Sequence, residues 1–196
     1  PNQQILVGGV VSNGSNLDFV VSRLNTDGTF DNTFDTDGIA YTDIGSSDDR
    51  LLELVLQTDG KIIGAGQSLS GGINDFSMVR FNQNGSLDST FSDDGKVRTD
   101  FGGGRDDVGR KAALQADGKI LLIGETNTLN GSRYDFGIAR YNPDGSCEEW
   151  HDGKSLQRRR SQRQARGRIA ALGPGRRFDS PQIHDGRVES NAHGRQ

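Results

Sequence analysis

The 196-residue chain has one cysteine, one methionine, one tryptophan and four prolines. Cys147 cannot close an internal disulfide, so cysteine usage leaves the redox compartment unread. Histidine is absent before His151. That excludes a Ser-His-Asp or Cys-His arrangement from the first three quarters of the chain. No apolar run approaches the roughly 20 residues of a membrane-spanning helix. The hydrophobic fraction of 31% is thin for a single globular core. The opening Pro1-Asn2-Gln3-Gln4-Ile5 has no initiator Met and no signal-peptide pattern. It enters in the rhythm of a strand, so the expectation is a fragment whose natural start lies upstream.

What is plentiful is glycine, at 28 residues. Glycine supplies the positive φ angles of tight turns, so the composition suits many short strands. Charge divides unevenly. Residues 1–146 hold 12 Lys and Arg against 21 Asp and Glu; residues 147–196 hold 11 against 6. So abrupt a shift marks a boundary.

The acidic region repeats itself. Asp18-Phe19-Val20-Val21-Ser22-Arg23-Leu24-Asn25 recurs as Asp75–Asn82 and again as Asp135–Asn142, 57 and 60 residues on. Leu56-Gln57-Thr58-Asp59-Gly60-Lys61-Ile62 recurs as Leu114–Ile120, with its turn at Asp117-Gly118. The copies fall near 1–46, 47–104 and 105–146. One copy reads as four strands: Arg50–Gln57, Lys61–Gln67, Asp75–Asn82 and about Lys96–Phe101. Asp59-Gly60 makes a hairpin of the first two. Along the third strand Phe76, Met78 and Arg80 share one face, and Ser77, Val79 and Phe81 share the other. Both faces are partly apolar, as expected of a blade between two neighbours. The fold class expected is all-β: tandem four-stranded antiparallel blades of a β-propeller-like array, about two and a half in number. Propellers typically close with 4–8 blades, so further blades of the same parent chain are the expected partners.

The run Asp-Phe-x-x-x-Arg-Tyr/Phe-Asn-x-x-Gly-Ser-Leu-Asp-x-Thr-Phe-x-x-Asp-Gly-Lys-Val, best seen at 75–97, resembles the bacterial delta-sixty repeat. Leu-Gln-x-Asp-Gly-Lys-Ile at 114–120 extends the likeness. The resemblance covers about residues 1–146. It implies a β-propeller-like array in a large secreted or cell-surface protein, and it transfers no active site.

After Ser146 the pattern is lost. Cys147-Glu148-Glu149-Trp150-His151 stands where Leu-Asp-x-Thr-Phe is due, and Asp152-Gly153-Lys154 arrives two residues early. Arg158-Arg159-Arg160 and further arginines follow. Residues 147–196 are expected to be a basic, low-order tail, and three readings stay open. They are an arm for an acidic surface or nucleic acid, a solvated tail, or sequence out of the natural reading frame. The last gains from codon arithmetic: Gly175-Arg176-Arg177 read one base later can encode the Asp-Gly due at that place. Little aromatic interleaving accompanies the arginines, so no nucleic-acid partner is expected.

Candidate sites are few. His151, His184 and His193 with Cys147 match no compact zinc spacing. Asp35-Thr36-Asp37-Gly38 and Asp93-Asp94-Gly95 lack the full run of a calcium loop and read as turns. Calcium there is the single cofactor reading left open; no other cofactor, no metal and no catalytic residue are expected. Asp48-Asp49 and Asp106-Asp107 recur, so a structural role is expected over paired-acid catalysis. Gly102-Gly103-Gly104 lies between β elements and makes a weak phosphate cradle. Arg23, Arg80 and Arg140 recur too, and a half-buried Arg needs an anion. Asp43 and Asp100 recur at the same period and are the expected partners. Asp18, Asp75 and Asp135, with Asp59, Gly60, Asp117 and Gly118, complete the structural repeat positions. The reading is a non-enzymatic repeat module, a binding scaffold or spacer, with an unknown protein or carbohydrate ligand. The alternative is part of a propeller hydrolase or lyase whose catalytic residues lie in other blades.

Overall fold

The period-2 runs and Asp-Gly turns become strands and hairpins in a computed structural model. It describes residues 3–45, 47–102, 104–127 and 134–151, and the backbone of 156–158. Blade 1 holds β1 (Ile5–Ser12), β2 (Leu17–Leu24) and β3 (Ile39–Thr42). Blade 2 holds β4 (Asp49–Leu56), β5 (Ile62–Ser70), β6 (Ile73–Phe81) and β7 (Lys96–Thr99). Blade 3 holds β8 (Asp107–Leu114), β9 (Ile120–Asn127), β10 (Tyr134–Tyr141), β11 (Cys147–His151) and β12 (Leu156–Arg158). Each blade is one antiparallel sheet in which neighbours in sequence are neighbours in space. The fold is all-β and propeller-like, and the described residues contain no helix.

The hairpin turns form as their residues dictate. Gly60 and Gly118 take φ of 84° and 81°, where a Cβ would be strained. Asp59 and Asp117 accept from the backbone N–H two residues on, Lys61 and Lys119. A bulge interrupts each first hairpin, so that Leu51 pairs Gly66 and Glu53 pairs Ala65; blade 3 repeats it between Gly109 and Lys111. It brings the Arg50 carbonyl onto Gly66, where an added Cβ would lie 1.9 Å from the oxygen. Only glycine fits there.

The two apolar faces of blade 2 serve different neighbours. Phe76, Met78, Ile63 and Ala65 pack with Ile120, Leu122, Ala139 and Tyr141 of blade 3. Val79, Phe81 and Ile62 pack with Phe19, Val21 and Ala40 of blade 1. Burying each Phe or Ile so completely contributes on the order of 2 kcal/mol before entropy is charged against it. The outer faces repeat this pattern without a cover. Phe19 and Phe76 are 0% exposed, whereas their counterpart Phe136 is 56% exposed. Ile5, Val7 and Tyr41 are exposed on the opposite side of blade 1.

Blade 3 departs from the expected boundary at Ser146. β11 continues the sheet, pairing Cys147 with Tyr141 and Trp150 with Ala139. The chain returns at once through a hairpin in place of the turn-rich stretch that precedes β7. The turn before it is common to all three copies, with Asn25, Asn82 and Asn142 each donating N–H to the carbonyl four residues on; what differs is the sequence that follows, Cys147–His151 in place of Leu-Asp-x-Thr-Phe. The three sheets fall within one unit, Pro1–Arg159. The Asp152-Gly153-Lys154 turn, Gly103, the arginines from Arg159 on, His184, His193 and Gly175-Arg176 lie outside the described residues.

Candidate functional site

The recurring polar residues collect where one blade meets the next. Arg23 and Arg80 end the third strands of their repeats, on a face packed against the following blade. The chain then turns back through Asn25 or Asn82, and Asp31 and Asp88 donate their N–H groups to the Arg23 and Arg80 carbonyls. Each Asp carboxylate is thereby laid on its own guanidinium, at 2.7 Å in both blades. The same Arg donates through Nη1 to the next blade, to Gln83 O or Pro143 O at 2.5 Å. Each guanidinium also lies over an aromatic ring, Phe34 at 4.9 Å and Phe91 at 4.4 Å. This is a latch of ion pair, interblade hydrogen bond and cation–π contact. Arg140 finds Glu148 at 2.9 Å, also eight residues on.

The latch corrects the expected partners Asp43 and Asp100. The β2–β3 register sets Phe19 opposite Thr42, so Asp43 lies at the Asp18 end of the strand, far from Arg23. Burial opposes ionisation of Asp88. Donation from Lys61 and Thr90, with the Arg80 charge, outweighs it and holds the carboxyl well below the usual range.

The second construction lies at the other end of the same strands. Asp48 and Asp49 open blade 2, but both accept from blade 1: Asp48 from Leu17 N–H at 3.1 Å, Asp49 from Ile44 N–H at 2.6 Å. Asp106 and Asp107 do the same toward Asn74 and Phe101, at 2.9 Å each. The pairs therefore staple blades. Asp49 and Asp107 also complete two acid trios, Asp18-Asp43-Asp49 and Asp75-Asp100-Asp107, each with carboxylate oxygens within 4.8 Å of one another. Asp49 and Asp107 are fully buried, and one oxygen of each, Oδ1, has no hydrogen-bond partner. Burial pushes the Asp107 carboxyl up to about 6, and the charges of Asp100 and Asp75 add to the shift. Asp49 moves the same way, first through burial. Three converging carboxylates can share a proton or hold a hard cation. In the second trio Arg98 already sits on Asp75 at 2.6 Å; in the first, Asn13 Nδ2 donates to Asp18 at 2.8 Å. The trios were within reach of the repeat spacing, because all three members recur 57 or 58 residues apart.

The loops read as calcium candidates take turn geometry. Asp37 and Asp94 accept from Ile39 and Lys96 N–H two residues on, both at 2.9 Å. Asp135 accepts from the N–H of Phe136, and His151 stacks on that ring at 5.6 Å. Cys147 lies on β11 outside any disulfide, its Sγ near the Glu149 carbonyl. An open polar cleft of about 630 Å³ lies at the first latch, lined by Gln4, Arg23, Thr33, Lys61 and Gln83 among others.

A family model described as a β-propeller domain of unknown function, DUF5122, matches residues 1–34, 57–91 and 115–147, just over half of the chain. The chain belongs to this family. No curated protein matches it. The DUF5122 segments contain Arg23 with Asp31, Arg80 with Asp88, and Arg140, so the latch lies inside the family pattern. Asp43, Asp49, Asp100 and Asp107 fall between the matched segments. The trios thus lie largely outside the stretches that define the repeat. No helix among the described residues is long and apolar enough to cross a membrane.

Proposed function

We propose that this DUF5122 chain is a non-enzymatic repeat module of the delta-sixty kind. It is displayed by a secreted or cell-surface bacterial protein as a binding scaffold or spacer. The observation that supports it is the use made of the recurring polar groups. Arg23 and Arg80 are each committed to an acid, a carbonyl of the next blade and a ring. A latch that repeats per blade holds blades together; a catalytic group is needed once. The exposed faces of Phe136 and of Ile5, Val7 and Tyr41 match the faces buried between blades, and they fit further blades of the same kind. Ligand contact would then fall to the loops and to open polar clefts such as that at Gln83. Fold alone does not name the ligand.

The test is a panel of polysaccharides and bacterial surface extracts, probed with the labelled chain for retention and in parallel for bond cleavage. Saturable retention without release of reducing ends or unsaturated sugars supports the scaffold. Turnover of any panel member at catalytic protein concentration overturns it and favours a hydrolase or lyase.

A further inference from the structure

We infer that the first acid trio, Asp18, Asp43 and Asp49, is a calcium site that clamps blade 1 to blade 2. Two of its carboxylates come from blade 1, at the start of β2 and just after β3, and the third opens β4 of blade 2. Their oxygens lie within 4.8 Å of one another, close enough for one ion to touch all three. Asp49 is fully buried and Asp18 nearly so, yet Oδ1 of each lacks a hydrogen-bond partner. Buried carboxylate oxygens are left unmet only at considerable cost, so these two point to something that would meet them. The fully buried Ser68 hydroxyl hydrogen-bonds the Asp49 carboxyl and brings a further oxygen to the site. It stands opposite Asp49 in the β4–β5 ladder and near the Asp43–Gly45 corner.

The donor chemistry selects the ion. Carboxylate and hydroxyl oxygens with no histidine or thiol in the trio suit a hard cation, and calcium takes 6–8 such oxygens at 2.3–2.6 Å in irregular geometry. Backbone carbonyls and water can supply the balance. Lys96 donates to the Asp43 carbonyl oxygen, and Asn13 is a neutral donor to Asp18. The second trio differs here, since the Arg98 guanidinium occupies the Asp75 carboxylate. One ion per chain is therefore expected, at the first junction. Each such ion would add a tie at the strand ends opposite the arginine latch.

The experiment is equilibrium dialysis of the full chain against radioactive calcium at pH 7.5 after chelator stripping, with thermal melts alongside. The expected result is saturable binding of one ion, with affinity in the range of extracellular modules, roughly 10⁻⁴–10⁻³ M or tighter. Melting should rise by about 5–10 °C at a calcium concentration near 100 times Kd. Asp49→Asn should weaken binding on the order of tenfold or more. Asp43→Asn removes the exposed ligand without touching the core, and should do likewise even if Asp49→Asn folds poorly. Asp107→Asn should leave the affinity unchanged. Absence of saturable binding by the unaltered chain overturns the assignment. So does binding that Asp43→Asn leaves intact, or that Asp107→Asn abolishes.

Discussion

At the first blade junction Tyr41 stands on β3 where Arg98 stands on β7 of the second. The latches at the other end of those strands are the same in both: arginine, an aspartate eight residues on, a carbonyl of the next blade, a ring. Two junctions built on one plan thus differ in charge at one end and agree at the other. The agreement lies inside the matched segments and the difference between them. Blade 3 adds a third state, in which Arg140 is half-exposed between Glu148 and Glu149.

The largest effect should come from cutting a latch. Arg80→Ala leaves the buried Asp88 with Lys61 as its remaining cation and strips the Pro143 carbonyl of its donor. Breaking a buried pair on one side costs about 3–5 kcal/mol. Urea unfolding should show the midpoint falling at constant m, whereas Arg140→Ala should barely move it. Equal losses at Arg80 and Arg140 would break the claim that the latch works through the next blade.

Much of this plan was legible. The repeats placed β4 to β7 within a few residues, because Asp-Gly turns and alternating faces are local signals. The third-strand faces were assigned correctly from parity alone. The arginine partner was not legible from recurrence, because Asp31, Asp43, Asp88 and Asp100 all keep step with the repeat. Only the β2–β3 register decides which end of the strand an acid reaches. β11 was missed because Cys147–His151 matches no copy, although Glu148 keeps the eight-residue spacing to Arg140.

Next in size is the bulge. Gly66→Ala and Gly124→Ala each drive a Cβ to 1.9 Å from a backbone carbonyl oxygen, Arg50 or Val108. Backbone cannot swing aside as a side chain can, so a cost of about 3 kcal/mol is expected at either site. Gly9→Ala meets nothing within 4 Å and should be nearly neutral. Unequal costs at Gly66 and Gly124, measured by chemical unfolding, would show that the two bulges are not equivalent.

The trios and latches should answer pH with opposite sign. Asp107 is raised to about 6 from an ordinary carboxylate value near 4, chiefly by burial. Between those values the folded chain holds the extra proton, so its contribution is complete below about pH 4 and is lost as pH rises through 6. Asp107→Asn should remove that loss, on the order of 2 kcal/mol across the window. Asp88 is depressed instead, so its contribution is present above about pH 4 and fades on acidification. Unfolding midpoints from pH 3 to 7 for the parent chain, Asp107→Asn and Asp88→Asn separate the two limbs. A parent profile that Asp107→Asn leaves unchanged between pH 4 and 6 would remove the trio from the account.

The smallest stability change should carry the sharpest distinction between junctions. The Arg98 side chain is 39% exposed, so its ion pair with Asp75 is screened, and Arg98→Tyr should cost no more than about 1 kcal/mol. The same substitution makes the second trio resemble the first, leaving Asp75, Asp100 and Asp107 without a guanidinium. The reverse change, Tyr41→Arg, brings a guanidinium into reach of Asp18. If charge at this one strand position sets the difference, calcium stoichiometry should rise from one to two in Arg98→Tyr and fall to zero in Tyr41→Arg. Both variants should keep melting temperatures close to the parent's when calcium is chelated. A parent stoichiometry that neither exchange alters would locate the difference elsewhere, in the loops that lead into β4 and β8.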